Sequence, residues 1–94
     1  MKIEHEQNDG GGSFFIDEGQ GRIAELTYRS EGKRRITIDH TEVDEKFRGE
    51  GIARDLVAEA VAFARENELR ITATCPYARK VIEETPEFLS LIHI

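Results

Sequence analysis

The spacing of apolar residues changes period twice along the chain, and each change marks a new kind of element. After a polar start, Met1 to Asp9, and the triplet Gly10-Gly11-Gly12, the run Ser13-Phe14-Phe15-Ile16 is short, aromatic and β-branched, which predicts a strand. Asp17-Glu18-Gly19-Gln20-Gly21 has the composition of a turn. From Arg22 to Tyr28 the residues Ala24, Leu26 and Tyr28 recur at every second position, the period of a half-buried strand. A second turn, Ser30-Glu31-Gly32-Lys33, leads into Arg35–Val43, where Ile36, Ile38 and His40 alternate against Thr37, Asp39 and Thr41. Short glycine-bearing turns between successive strands predict an antiparallel meander.

Beyond Asp44 the period becomes helical. Ile52, Ala53, Leu56, Val57, Ala60, Phe63 and Ala64 fall on one face, with Arg54, Asp55, Glu59, Arg65 and Glu66 outside. Asn67 is an acceptable residue at the end of that helix. Strand spacing returns from Arg70 to Cys75, with Ile71, Ala73 and Cys75 on one face. Pro76 suits the first turn of a second helix, whose apolar stripe is Tyr77, Ala78, Val81 and Ile82, and Pro86 stops it. Phe88, Leu89, Leu91 and Ile92 form an apolar tail, to be packed on the domain or on a partner. The order is β-β-β-α-β-α. A helix that joins Arg35–Val43 to Arg70–Cys75 makes those strands a parallel pair. The expected class is α+β: a mixed, mostly antiparallel sheet with helices packed on it.

Composition narrows the function. The chain has 94 residues, room for a single domain, with 38% hydrophobic and 34% charged residues, the balance of a folded globular protein. A formal net charge of -6 argues against a general nucleic-acid binder and requires a local device for any anionic ligand. A lone cysteine, Cys75, excludes an internal disulfide and fits a reducing compartment. The polar start offers no signal-peptide core and no stretch reaches membrane-spanning length, so a cytoplasmic protein without membrane association is the default. His5 and His93 lie near the ends, and nothing in the spacing suggests a metal site.

The device for an anion stands between the third strand and the first helix. Arg48-Gly49-Glu50-Gly51-Ile52-Ala53 is a glycine-bearing turn that opens a helix. The first amides of a helix lack internal partners, and the helix dipole adds partial positive charge there. Glycines let a phosphate approach the backbone, and Arg48 can add a charge-assisted hydrogen bond. The bland alternative is a plain turn whose glycines solve a backbone problem.

The run from His40 to Leu56 resembles the acetyl-CoA motif of the GNAT acetyltransferase superfamily, which reads Arg or Gln, two residues, Gly, one residue, Gly or Ala; here Arg48, Gly51 and Ala53 take the defining places. Thr74-Cys75-Pro76-Tyr77 and Pro86-Glu87-Phe88 are similar to a narrower group, the very small single-domain GNAT-like proteins. The resemblance spans nearly the whole chain. It implies a minimal GNAT-like fold over residues 1–94 and coenzyme A or acetyl-CoA as cofactor. It implies a loop of Arg48, Gly49, Glu50, Gly51, Ile52, Ala53 and Arg54 that holds the pyrophosphate, and a strand end at Val43 that pairs with the pantetheine arm. A bulge commonly splays that strand; one near His40–Glu42 would break the alternation above and leave the face of His40 open.

The resemblance also implies an activity: transfer of an acetyl group to an unidentified amine, on a small molecule or a protein. Val43 N–H is then a donor to the thioester oxygen, and His40 or Glu42 the base. Each has an ordinary alternative, a packed strand histidine and a solvated carboxylate. Cys75 is a candidate to accept the acetyl group itself or to wall the site as a buried apolar residue. Tyr77 is a candidate proton donor to the departing thiol, earlier in the chain than the usual family tyrosine; packing is its alternative use. The helices and strands that build the acceptor side in larger family members are missing. Two other functions therefore stand beside the enzyme: a non-catalytic module that binds coenzyme A or acyl-CoA, and an interaction domain that uses the tail from Phe88 to Ile94.

Overall fold

A computed structural model of the chain describes residues 2–19 and 21–89. Its strands are β1 (Glu4–Asn8), β2 (Gly11–Asp17), β3 (Arg22–Glu31), β4 (Arg35–Val43) and β5 (Arg70–Ala73). Its helices are α1 (Ile52–Glu66), α2 (Pro76–Glu84) and the short α3 (Pro86–Leu89), with one 3-10 turn at Glu45–Phe47. The sheet runs β1-β2-β3-β4-β5 in space. The first three pairings are antiparallel, and β4 with β5 is parallel. The expected class, meander and parallel crossover are all present.

Two elements exceed the expected order. β1 adds a strand ahead of the meander, and Pro86, besides ending α2, begins α3. The glycine triplet belongs to the β1–β2 hairpin. Gly10 lies in the β1–β2 turn, and Gly11 and Gly12 are residues of β2. A Cβ on Gly12 would stand 2.6 Å from Tyr28 Oη and 2.4 Å from the Glu6 carbonyl oxygen, so only a bare Cα lets β1 and Tyr28 close together there. Within the tail, Phe88 packs half-buried against the core; residues 90–94 lie outside the described residues.

The core lies between one sheet face and the helices. Phe14, Ile16, Ala24, Leu26, Ile36, Ile38 and Ile71 face α1 and α2, which supply Leu56, Val57, Ala60, Ala64, Ala78 and Ile82. Burial of these side chains is the main favourable term holding the helices on the sheet. Tyr77 does not join the α2 stripe: it is 44% exposed. The opposite sheet face is polar and cross-linked. The Arg22 guanidinium lies 3.7 Å from the Phe15 ring centroid and bonds Ser13, Glu6 and Glu25. Helix α1 ends in a Schellman arrangement: Leu69 N donates to Ala64 O at 2.8 Å and Glu68 N to Arg65 O at 3.3 Å. Asn67 is the C-cap, as expected, and Glu68 takes the left-handed conformation at φ 55°. No helix among the described residues is long and apolar enough to cross a membrane.

Candidate functional site

The site begins where the parallel pair opens. Ile38 and Ala73 form the last rung of β4 with β5. The Ile38 carbonyl then accepts from both Thr74 N (2.9 Å) and Cys75 N (3.2 Å), and the chain turns into α2 while β4 continues to Val43. Past Ile38, β4 therefore has an edge that β5 does not cover. On its other side the register with β3 slips by one residue: Tyr28 faces Ile38 and Thr27 faces His40. Asp39 is the extra residue of this bulge, at the near end of the expected place. Its carboxylate accepts from Thr27 Oγ1 at 2.6 Å and pairs with Arg29 Nε at 3.5 Å.

A one-residue slip exchanges the faces of everything that follows. His40 leaves the face of Ile36 and Ile38, and with Glu42 it becomes exposed on the open side of the sheet. Thr41 and Val43 take the helix side. Asp44 N donates to Ile23 O at 2.7 Å, so the main chain of Val43, one residue earlier, points to the uncovered edge.

Helix α1 begins at the mouth of this opening. Asp44 Oδ1 accepts from Lys46 N at 3.0 Å and fixes the 3-10 turn that carries the chain to Arg48. Gly49 and Gly51 then take positive φ, 84° and 78°, which glycine adopts without steric cost. Gly51 is the N-cap and offers no capping side chain. The first intrahelical bond is Asp55 N to Gly51 O at 3.0 Å, so the amides of Ile52, Ala53 and Arg54 are the unmatched donors of the first turn. A Cβ added to either glycine would meet no atom within 4 Å, so the space above the mouth is open.

Val43, Phe47, Arg48, Gly49, Gly51, Ile52, Ala53 and Tyr77 enclose a cleft of about 440 Å³. Arg48 Nε donates to the Val43 carbonyl at 3.1 Å, across the cleft from loop to strand. Unmatched amides, a helix dipole and a guanidinium at one end, with main-chain groups along one wall, suit an anionic group carrying an extended polar arm.

Of the residues singled out in the sequence, Val43, Arg48, Gly49, Gly51, Ile52, Ala53 and Tyr77 come together here. Glu50 is exposed outside the lining, and the Arg54 side chain turns to Thr85 Oγ1 at 3.4 Å. His40 Nε2 lies 3.2 Å from Glu42 Oε2 on the far face of β4. There Glu42 joins Arg22, Ile23, Ala24, Glu25 and Asp44 around a polar hollow of about 160 Å³. Cys75 is 8% exposed within the core cluster, at the N-cap of α2 and the head of the opening, and is not among the lining residues. Phe47, an isolated apolar residue in a polar turn, left no signal in the sequence. Thr41 left none either; its Oγ1 is buried with no hydrogen-bond partner among the described residues.

Known proteins share both pattern and fold. The family model described as GCN5-related N-acetyl-transferase matches residues 13–91. Protein NATD1 of Bos taurus is 43% identical over 86 residues, covering 92% of this chain and 75% of its own length. The solution structure of a GCN5-like protein from Staphylococcus aureus superimposes with a TM-score of 0.76 at 33% identity, covering 96% of this chain and 87% of that one. A GNAT family acetyltransferase from Elizabethkingia anophelis, solved with acetyl-CoA bound, shares the fold at a TM-score of 0.63 and 14% identity, over 80% of this chain and 52% of its own. With a family model matched across most of its length, and with the bulged strand and uncapped helix set side by side, the chain belongs to the GCN5-related N-acetyltransferase family.

Proposed function

We propose that the protein transfers an acetyl group from acetyl-CoA to a primary amine. The observation that carries this reading is the uncapped start of α1, which opens on a cleft walled by the uncovered edge of β4. The residues fit the donor. The amides of Ile52, Ala53 and Arg54 would receive the diphosphate, Gly49 and Gly51 leave it room, Glu50 contributes its backbone alone, and Arg48 adds charge. The main chain at Val43 supplies partners for the amides of the pantetheine arm, and its N–H is a donor for the thioester oxygen.

The two faces of β4 divide the labour. The donor enters from the helix side and the acceptor from the open side, where His40 and Glu42 stand. Three carboxylates, Glu25, Glu42 and Asp44, and one guanidinium, Arg22, which pairs with Glu25, line the polar hollow, and the surplus of negative charge favours a cationic acceptor. The His40–Glu42 pair takes a proton from the ammonium, the free amine attacks the thioester carbonyl carbon and the C–N bond forms, the nitrogen releases its second proton to solvent, and the C–S bond breaks. The thiolate leaves and is protonated, with Tyr77, an exposed wall of the cleft, as the candidate donor. Transfer is direct in this reading. A relay through Cys75 is the second reading, supported by its place at the head of the opening.

The test is release of free thiol from acetyl-CoA across a panel of polyamines and lysine-containing peptides, with intact mass followed in parallel. Amine-dependent thiol release is expected. Coenzyme binding without release on any amine would make the protein a binding module instead.

A further inference from the structure

The contact between Arg48 and Val43 sets a competition inside the cleft. The Val43 carbonyl is the acceptor that an amide-bearing arm would meet, and Arg48 Nε already occupies it at 3.1 Å. Arg48 is exposed, and among the described residues no carboxylate pairs with it. The backbone on both sides of it is set: the 3-10 turn is tied to Asp44, and Gly49 and Gly51 hold positive φ beyond it. A rotation of one side chain is therefore enough to free the carbonyl. A diphosphate at the mouth of α1 gives the guanidinium a better partner than a neutral carbonyl, since a charge-assisted bond is about twice as strong as a neutral one.

We propose that Arg48 determines specificity for the full coenzyme by holding the Val43 carbonyl until a diphosphate draws it away. The inference rests on the donor site described above. A ligand with the diphosphate supplies its own key: it recruits Arg48 and exposes the carbonyl for its arm. Pantetheine carries the same arm and no phosphate, so it must displace Arg48, or share the carbonyl oxygen with it, with no compensation. The site then rejects free pantetheine thioesters by more than the loss of phosphate contacts alone.

The test is binding, read by amide chemical shifts in NMR titrations with coenzyme A and, separately, with pantetheine, on the unaltered protein, Arg48→Ala and Arg48→Gln. The two ligands should respond in opposite directions. Arg48→Ala should weaken coenzyme A by about tenfold, the loss of one charge-assisted bond, and strengthen pantetheine by about threefold, the removal of one weak competitor. Arg48→Gln, which removes the charge but keeps a donor, should weaken coenzyme A and leave pantetheine as poor as before. Coenzyme A binding by the unaltered protein, together with an unchanged or weaker pantetheine affinity in Arg48→Ala, would overturn this inference and leave the donor site standing. Absence of coenzyme A binding by the unaltered protein would overturn both.

Discussion

The amide of Cys75 donates to the carbonyl of Ile38 at 3.2 Å, two residues past the last rung of the parallel pair. That bond fixes Cys75 where the two strands part, yet its side chain belongs to the apolar core. With direct transfer, Cys75→Ala should cost about 1 kcal/mol of stability, a small core truncation. Turnover should stay within about threefold and intact mass should show no acetylated protein. A fall of about a hundredfold or more, together with loss of an acetyl adduct present in the parent, would establish the relay.

Thr41 carries a hydroxyl oxygen that is buried with no partner among the described residues. An unsatisfied buried polar group costs roughly 1–3 kcal/mol, and valine has nearly the same shape and prefers strands. Thr41→Val should therefore raise the thermal midpoint, by about 4–8 °C for each kcal/mol gained in a domain this small. Thermal unfolding followed by circular dichroism checks it; a lowered midpoint would mean that the hydroxyl has a partner in solution.

Glu68 holds the left-handed position of the Schellman motif at φ 55°, where glycine is the usual residue. A side chain in that conformation costs roughly 1–2 kcal/mol. Glu68→Gly should stabilise the protein by about 1 kcal/mol, partly offset by the greater freedom of glycine in the unfolded chain. Urea unfolding would read the gain as a higher midpoint at constant slope.

How much of this was legible depended on whether a feature leaves a pattern in the side chains. β2, β3, β4, α1 and β5 each bury one face, so apolar spacing revealed them. β1 sets no apolar face into the core: Glu4 to Asn8 are polar and exposed, His5 lays only part of its ring on Phe14 and Phe63, and the strand is held by its ladder to β2. An edge strand of charged and polar residues reads as a tail. The bulge at Asp39 is a single inserted residue with no composition of its own, yet it sends His40 and Glu42 to the open face and Val43 to the cleft. The loop from Arg48 to Ala53 was legible because positive φ and an uncapped helix start both demand glycine at fixed places. Phe47 lines the cleft through tertiary folding, which local spacing does not encode; Tyr77 does so too, and the family resemblance rather than its spacing marked it.

The overlooked strand also carries a pH response. His5 stacks on Phe14 with ring centroids 4.0 Å apart, meets Phe63 edge-on at 4.6 Å, and lies 2.6 Å through Nε2 from Tyr28 Oη. Partial burial holds its imidazole below the ordinary value of 6.5. The folded state thus binds this proton less readily than the unfolded chain. The contribution is fully present above that ordinary value and is lost as pH falls through it toward the lower folded-state value. The thermal midpoint should drop as pH falls through that ordinary value of 6.5, and His5→Gln should flatten the slope there. An identical slope in the variant would assign the response to other groups.

Whether bare amides at the start of α1 receive a diphosphate is measured directly by calorimetric titration of coenzyme A into the parent and Gly51→Asn. Asparagine tolerates the left-handed conformation, and a Cβ on Gly51 meets nothing within 4 Å, so the fold should accept the change while its side chain fills the mouth. Stoichiometric binding by the parent and an affinity at least about tenfold weaker in the variant, with thermal midpoints within a few degrees, is the predicted result. Equal affinities in the two proteins, or no heat from either, would contradict it.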